Sequence, residues 1–161
     1  MIEIYPETIN LYFIFLGSFV SSSFVCFVQD MYYDFPYIQE NKSSKNEILK
    51  IYLDSLPLVV FNMFVTIPFT LFISQYFFIF LSPFNGYQVY HIPIFFILID
   101  PTFFTIHRLF HTVKFFNLYK YHKIHHQIKR PVGITSIYLH PIDLIFGNLM
   151  VLSLSFFTLN T

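Results

Sequence analysis

Cysteine is nearly absent from this sequence of 161 residues. The single Cys26 excludes a disulfide within the chain and any metal site built from several thiolates. Charge is also scarce, because 11% of the residues are charged, against roughly 25% in a typical soluble domain. The formal net charge is zero, so no electrostatic attraction to nucleic acid is expected. The first ten residues contain no Lys or Arg, unlike the basic start of a cleaved signal peptide.

The sequence is instead rich in apolar and aromatic side chains. Hydrophobic residues make up 55% of the chain and aromatic residues 22%, with 24 Phe and 12 Tyr. The mean hydropathy is +0.59. A soluble protein of this size cannot bury that much apolar surface. The composition therefore indicates an integral membrane protein.

Four apolar stretches are long enough to form membrane helices, which need about 20 residues to span a bilayer. The first two are uncharged and predict spans, the second of which is somewhat long and is expected to tilt or to kink near Pro68. Each of the last two either spans the membrane or re-enters it, and Asp100–Pro101 in the third marks a functional acid or a helix break. The fold class predicted is thus an all-α integral membrane protein with about four apolar helices, at residues 9–28, 56–82, 88–106 and 142–159.

The basic residues predict the orientation of these helices. Six of the nine Lys and Arg residues lie in 107–141, and the other three lie in 29–55. The uncharged turn at 83–90 lies between the second and third apolar stretches. By the positive-inside rule, both basic segments face the cytosol and the turn faces the lumen. The histidine-bearing helices described next are therefore expected on the cytosolic side.

Five of the seven histidines fall within residues 107–126, in the segments HRLFH and HKIHH. On helices, spacings of three and four place each set on one face. Imidazole suits iron, zinc, copper and nickel, and two such sets favour a metal centre over a solvated basic loop. A zinc-protease motif is excluded because no acid lies within HRLFH. A bis-histidine haem would use only two of the five histidines. The candidate ligands are His107, His111, His122, His125 and His126.

Two residues beside these segments have alternative interpretations. His140 is an auxiliary ligand or a residue that holds a ligand, or it simply precedes a helix whose first turn contains Pro141. Asp143 either orients an imidazole by accepting its second N–H or favours a helix N-terminus through the helix dipole.

HRLFH and HKIHH resemble the first two histidine boxes of the fatty acid hydroxylase/sterol desaturase superfamily. LIDPTFFTIHRLFH resembles the acidic and aromatic segment that leads into the first box, with Asp100 seven residues before His107. YLHPID, within HKIHHQIKRPVGITSIYLHPIDLIFGNL, is similar to the C-4 methylsterol oxidase branch. The chain is interpreted as a single membrane domain, 1–161, that is family-like from about residue 50 to 160.

The resemblance implies a non-haem di-iron oxygenase of the endoplasmic reticulum membrane, crossing it several times. Such enzymes oxidise a lipid or sterol C–H bond with O2, using electrons from NAD(P)H through cytochrome b5 or a similar donor protein. The five histidines of the two boxes would be the iron ligands, with no catalytic residue beyond them. The branch resemblance implies sterol biosynthesis.

The family has a further histidine box downstream, and no histidine follows His140 here. The chain is therefore expected to be the N-terminal part of such an enzyme. The alternative is a truncated, catalytically inactive membrane remnant that keeps the histidines. A histidine-rich metal transport protein would instead need ligands along a membrane pathway, whereas these lie in a basic segment.

Overall fold

A computed structural model of the protein describes residues 6–32, 44–77, 91–113, 117–129 and 131–149. Over these residues the chain is helical and contains no β-strand, as the sequence predicts. The predicted lumenal turn at 83–90 and residues 150–159 of the fourth apolar stretch lie outside the described residues.

The first two predicted spans are helices of sufficient length. Helix α1 is Pro6–Tyr32. Helix α2, Lys45–Phe61, continues through a π-helical turn, Asn62–Thr66, into helix α3, Ile67–Phe77. Two segments of the described chain, Thr8–Tyr32 and Lys45–Ile73, are long and apolar enough to cross a membrane.

Local sequence explains how α2 begins and why a π-helical turn lies between α2 and α3. Ser44 and Glu47 form a capping box, in which each side chain accepts a hydrogen bond from the other's backbone N–H. The π-helical turn ends two residues before Pro68, which has no N–H for the carbonyl of Met63 five residues earlier. The Tyr12 hydroxyl of α1 donates to that carbonyl at 3.2 Å. The irregularity predicted near Pro68 is therefore a π-helical turn supported by a neighbouring helix.

Helix α4, His91–Thr112, carries the first histidine box in its last two turns. Pro101 lies inside this helix, so the helix break considered for Asp100–Pro101 does not occur. An unbroken helix keeps the other backbone groups hydrogen-bonded within an apolar segment, and threonine hydroxyls supply additional donors. Thr102 Oγ1 donates to the carbonyl of Leu98 at 2.8 Å.

The second histidine box does not form one continuous α-helix. Helix α5, Leu118–His122, ends at the first histidine of the box, and a separate 3-10 helix, His125–Gln127, carries the other two. Asn117, immediately before α5, adopts a left-handed conformation (φ 50°), which asparagine tolerates better than most residues. Helix α5 packs against α4.

The last described segments pack against the preceding helices. They are a 3-10 helix, Gly133–Ile137, the short helix α6, Pro141–Asp143, and a π-helical segment, Leu144–Leu149. Thr135 shapes the first turn, since its hydroxyl accepts from the N–H of Val132 and donates to the same residue's carbonyl. Gly133 packs so closely on α1 that a Cβ there would lie 2.5 Å from Cys26 Cβ.

One apolar cluster joins these segments to the second span. Its buried members come from α2, the π-helical turn and α3 on one side and from the segment after Gly133 on the other. Aromatic and aliphatic side chains of α1 pack on its edge. Many large apolar side chains elsewhere on α1, α2 and α3 are exposed, which suits a lipid surround. The buried members are Val59, Met63, Ile67, Ile137, Leu139 and Leu144.

Candidate metal centre

Four of the five box histidines converge. One possible ligand atom of each lies within 4.8 Å of those of the others. His122 is the central member, with ring centroids 4.5 Å from His107, 4.7 Å from His111 and 4.7 Å from His126. We call this set, His107, His111, His122 and His126, the histidine group.

The group forms where α4 meets α5 and the 3-10 helix after it. His107 and His111 lie one helical turn apart on α4, with ring centroids 4.9 Å apart. His122 at the end of α5 is buried, and Phe110 packs on it at 5.5 Å. His126 is more exposed and lies across the group from α4. Helix α4 thus supplies two imidazoles, and α5 and the 3-10 helix supply one each.

A buried carboxylate fixes the orientation of His122. Nδ1 of His122 lies 3.0 Å from Oδ2 of Asp143, and both side chains are almost fully buried. An ionised carboxylate only accepts hydrogen bonds, so a neutral imidazole paired with it carries its proton on Nδ1. The lone pair is therefore on Nε2, which faces the histidine group and lies 2.9 Å from His126 Nε2. Histidine ligands of metals characteristically have such a partner on the other nitrogen.

Gly147 leaves room for this carboxylate. A Cβ at Gly147 would lie 2.8 Å from Oδ1 of Asp143. A larger residue at position 147 would therefore displace the side chain that holds His122.

The surroundings favour uncharged imidazoles. Burial lowers the pKa of His107, and the neighbouring His122, His111 and His126 lower it further. Burial also lowers the pKa of His126, with His122, His125 and His111 adding to the effect. Asp143 opposes both shifts without reversing them. At His107 and His126 the surroundings therefore favour the neutral form, which offers a lone pair to a metal.

His125 and His140 lie outside the histidine group. The ring of His125 is exposed, 6.1 Å from that of His122 and 5.5 Å from that of His126. Nδ1 of His140 accepts from the N–H of Ile142, which makes His140 the N-cap of α6 with Pro141 in its first turn. Its ring packs on Tyr121 at 4.6 Å. His140 thus has the helix-capping role that was one of its two interpretations.

The geometry of the group suits one metal ion. Imidazole nitrogens bind at about 2.1 Å, so two on one ion lie about 3.0 Å apart at a right angle and about 4.2 Å apart when opposite. The pair His122 Nε2 and His126 Nε2, at 2.9 Å, matches the first value. The possible ligand atoms of the group lie within 4.8 Å of one another. Atoms at that separation would have to approach by about 0.6 Å to reach the distance of about 4.2 Å expected for ligands on opposite sides of an ion.

Asn62 is a buried residue at this end of the molecule that the sequence did not single out. It lies in the π-helical turn and is hydrogen-bonded to the segment that leads to Asp143. The sequence did contain a feature that could have identified Asn62, because it is a polar amide inside the uncharged stretch 56–82, with Thr66 four residues further on.

The described residues define a helical candidate metalloprotein with two candidate membrane spans and a four-histidine site. Residues 92–161 match the family model of the fatty acid hydroxylases, which confirms the recognition of that family over this part of the chain. The match begins in α4 and includes both histidine boxes.

One curated relative is the C-4 methylsterol oxidase erg25 of Schizosaccharomyces pombe. The two sequences are 36% identical over 58 residues, which is 36% of this chain and 19% of that protein. The chain thus covers about a fifth of the length of this relative. No solved structure matches the chain.

Proposed function

We propose that the protein is a membrane-bound, iron-dependent oxygenase that oxidises a C–H bond of a lipid, with a 4-methylsterol as the substrate class. The observation that carries this proposal is the convergence of the histidine group around His122, whose second nitrogen is held by Asp143. The family match over 92–161 and the similarity to a methylsterol oxidase support the lipid substrate. From the resemblance of the histidine boxes, we also propose that the enzyme lies in the endoplasmic reticulum membrane and crosses it several times, and the two candidate spans support a membrane location.

The protein residues bind and orient in this reaction. His107, His111, His122 and His126 would hold iron, which supplies the O2 activation that amino-acid side chains cannot provide. Asp143 keeps the proton of His122 on Nδ1, so that Nε2 remains available. The apolar exposed surface of α4, including Phe103 and Phe104, lies next to the first histidine box and suits a lipid chain.

A di-iron centre needs more donors than the histidine group provides. Four imidazoles suit one ion, and a second ion would need ligands from outside the group. His125 is the histidine of the second box that remains for this purpose, and its ring is exposed beside His126. We therefore propose His125 as a ligand of the second ion rather than of the first.

Electron supply would come from a donor protein, such as cytochrome b5, reduced by NAD(P)H. Arg108, Lys120 and Lys123 are exposed residues within or beside the two boxes. Positive side chains at this position would attract an acidic donor and speed its encounter. The same residues would also anchor the segment at lipid headgroups.

The test uses the native gene expressed in cells that lack their own C-4 methylsterol oxidase. We expect 4-methylsterols, measured by mass spectrometry, to fall in these cells and iron to copurify with the protein. Replacing His122 with Ala should abolish both effects, because it removes the central imidazole. The exposed Lys129→Ala is the control and should behave as the unmodified protein does.

The outcomes separate the oxygenase from the inactive remnant. Bound metal without any change in sterols would support a metal-binding remnant of the family. A change in a different lipid class would keep the oxygenase and reject the sterol substrate. Equal activity of the native protein and His122→Ala would contradict the proposed site.

A further inference from the structure

Asn62 is a polar residue in the interior of the second candidate membrane span. It lies in the π-helical turn within Lys45–Ile73, and its side chain is 0% exposed. A primary amide in such a place costs free energy unless its hydrogen-bonding groups are paired. The hydrogen-bond partners of this amide therefore indicate why a polar residue lies in the turn.

The amide bonds to the backbone of a distant segment. Asn62 Nδ2 donates to the carbonyl oxygens of Ile137, at 2.9 Å, and Leu139, at 2.8 Å. Its Oδ1 accepts from the Thr66 hydroxyl at 2.9 Å. The hydroxyl thereby orients the amide so that both N–H groups face the two carbonyls.

Apolar packing encloses these bonds. Val59, Met63 and Ile67, which flank Asn62 and Thr66 along the helix, are buried against Ile137 and Leu139. Hydrogen bonds that are shielded from water in this way are stronger and more costly to break than exposed ones. The amide is therefore a fixed attachment point between the second span and residues 137–139.

This attachment lies two residues before α6. Leu139 is followed by the N-cap His140 and then by Pro141–Asp143, so the carbonyl held by Asn62 sets where α6 begins. Asp143 at the end of α6 contacts Nδ1 of His122 at 3.0 Å. A shift of residues 137–139 would therefore move the carboxylate away from the imidazole.

We propose that Asn62 is a positioning residue, which holds Asp143, and through it His122, at a fixed place relative to the second membrane span. This inference rests on the proposed metal function for its consequence, and its structural part is measurable without metal. Thr66 assists by orienting the amide, so the pair Asn62 and Thr66 acts as one unit.

The first measurement is Co(II) affinity of the purified full chain in detergent, followed by visible absorption. Asn62→Leu, which keeps the volume and removes the donors, should weaken binding about 10- to 100-fold, as loss of a ligand's supporting partner does. Thr66→Val should weaken it about 2- to 10-fold, since one hydrogen bond is lost. Thr70→Val is the matched control, because the Thr70 hydroxyl donates only locally, to the carbonyl of Thr66. It should remain within about twofold of the unmodified protein.

A double-mutant cycle tests the route through Asp143. Asp143→Asn removes the carboxylate that holds His122 and should weaken Co(II) binding about 10- to 100-fold. If Asn62 acts through Asp143, the combined variant should lose little more than the more damaging single change. Fully additive losses would overturn the proposal, because they would show that the two residues act independently.

The second measurement uses no metal. Hydrogen exchange of peptides from residues 133–143 should accelerate in Asn62→Leu and not in Thr70→Val. The ¹⁵N resonances of His122 should lose the Nδ1–H signature in Asn62→Leu, as we also expect in Asp143→Ala, which removes the acceptor. If the unmodified chain fails to bind Co(II), the proposed metal function fails, and these two readouts alone decide the positioning role. Unchanged exchange and resonances would overturn it, and Thr66→Val carries the same test if Asn62→Leu does not fold.

Discussion

His122 is the residue at which the contacts of the candidate metal centre meet. Three imidazoles lie around it, Phe110 packs on its ring, and Asp143 holds its Nδ1. Burial and the hydrogen bond together fix which nitrogen has the lone pair. The sequence named His122 as one of five equivalent candidates, and the structure gives it a distinct position.

The two adjacent histidines of the second box should differ in their effect on metal binding. His126 belongs to the histidine group, whereas His125 is exposed and lies outside it. We expect His126→Ala to weaken binding of the first Co(II) ion at least about tenfold, because a ligand is lost. His125→Ala should leave that step within about twofold of the unmodified protein.

Calorimetric titration of the two variants in the same detergent provides the comparison. The two substitutions are chemically identical and one residue apart, so general effects on folding cancel. Equal losses of affinity for the first ion would place His125 inside the site and contradict the separation seen here.

At the scale of elements, the close contact between α1 and the 3-10 helix Gly133–Ile137 supports the region beneath the site. Gly133 lies against Cys26, and Tyr52 of α2 bonds to Asp30 of α1 at 3.1 Å nearby. These contacts join the two candidate spans to the segment that leads to Asp143. The site therefore depends on helix packing as well as on its ligands.

Gly133→Ala should destabilise the protein by about 1–3 kcal/mol, as overpacking of a tight contact does. The physical reason is the new Cβ, which would lie 2.5 Å from Cys26 Cβ and 3.1 Å from its Sγ. Gly17→Ala is the control, since a Cβ there meets nothing within 4 Å and alanine favours a helix. Unfolding by denaturant in detergent gives both values.

A second substitution checks the cause. Cys26→Gly removes the opposing Cβ, so Gly133→Ala should cost less stability when added to Cys26→Gly than when added to the unmodified protein. If Gly17→Ala and Gly133→Ala proved equally harmless, α1 and the 3-10 helix would not be packed as closely as described.

At the scale of the whole molecule, two features bear on how the chain lies in a membrane. The exposed apolar surface suits contact with lipid, and the uneven distribution of basic residues predicts the orientation. Large apolar side chains such as Phe13, Phe24, Phe64 and Phe69 are exposed on the two candidate spans. Lipid would cover them in a bilayer. Six basic residues lie in 107–141 and none lies in 83–90, which predicts the orientation.

Glycosylation tags should therefore be modified when inserted in 83–90 and remain unmodified in 107–141. The measurement is a mobility shift that a glycosidase reverses, in microsomes that contain the full chain. A tag after Lys42 in the basic segment 29–55 is the control and should stay unmodified. The opposite pattern would place the histidine boxes in the lumen and remove the proposed contact with a cytosolic electron donor.

The sequence by itself determined the properties that local information encodes. Long uncharged stretches predicted the two candidate spans, since length and hydropathy decide whether a helix suits a bilayer. The two histidine boxes, together with the segment before the first box and YLHPID after the second, were enough to recognise the family that residues 92–161 match. The sequence left a helix break at Asp100–Pro101 open as one of two interpretations, and it missed the interruption after His122, because tertiary contacts outweigh local helix signals at such positions.

Only the tertiary structure decided which residues surround the candidate metal. The selection of His126 over His125, and the contact of Asp143 with His122 across 21 positions, depend on how α4, α5 and α6 pack. The attachment of Asn62 to carbonyls 75 and 77 positions away depends on the second span lying under that packing. No periodicity or motif records such contacts, because the free energy that forms them comes from burying segments distant in the chain against one another.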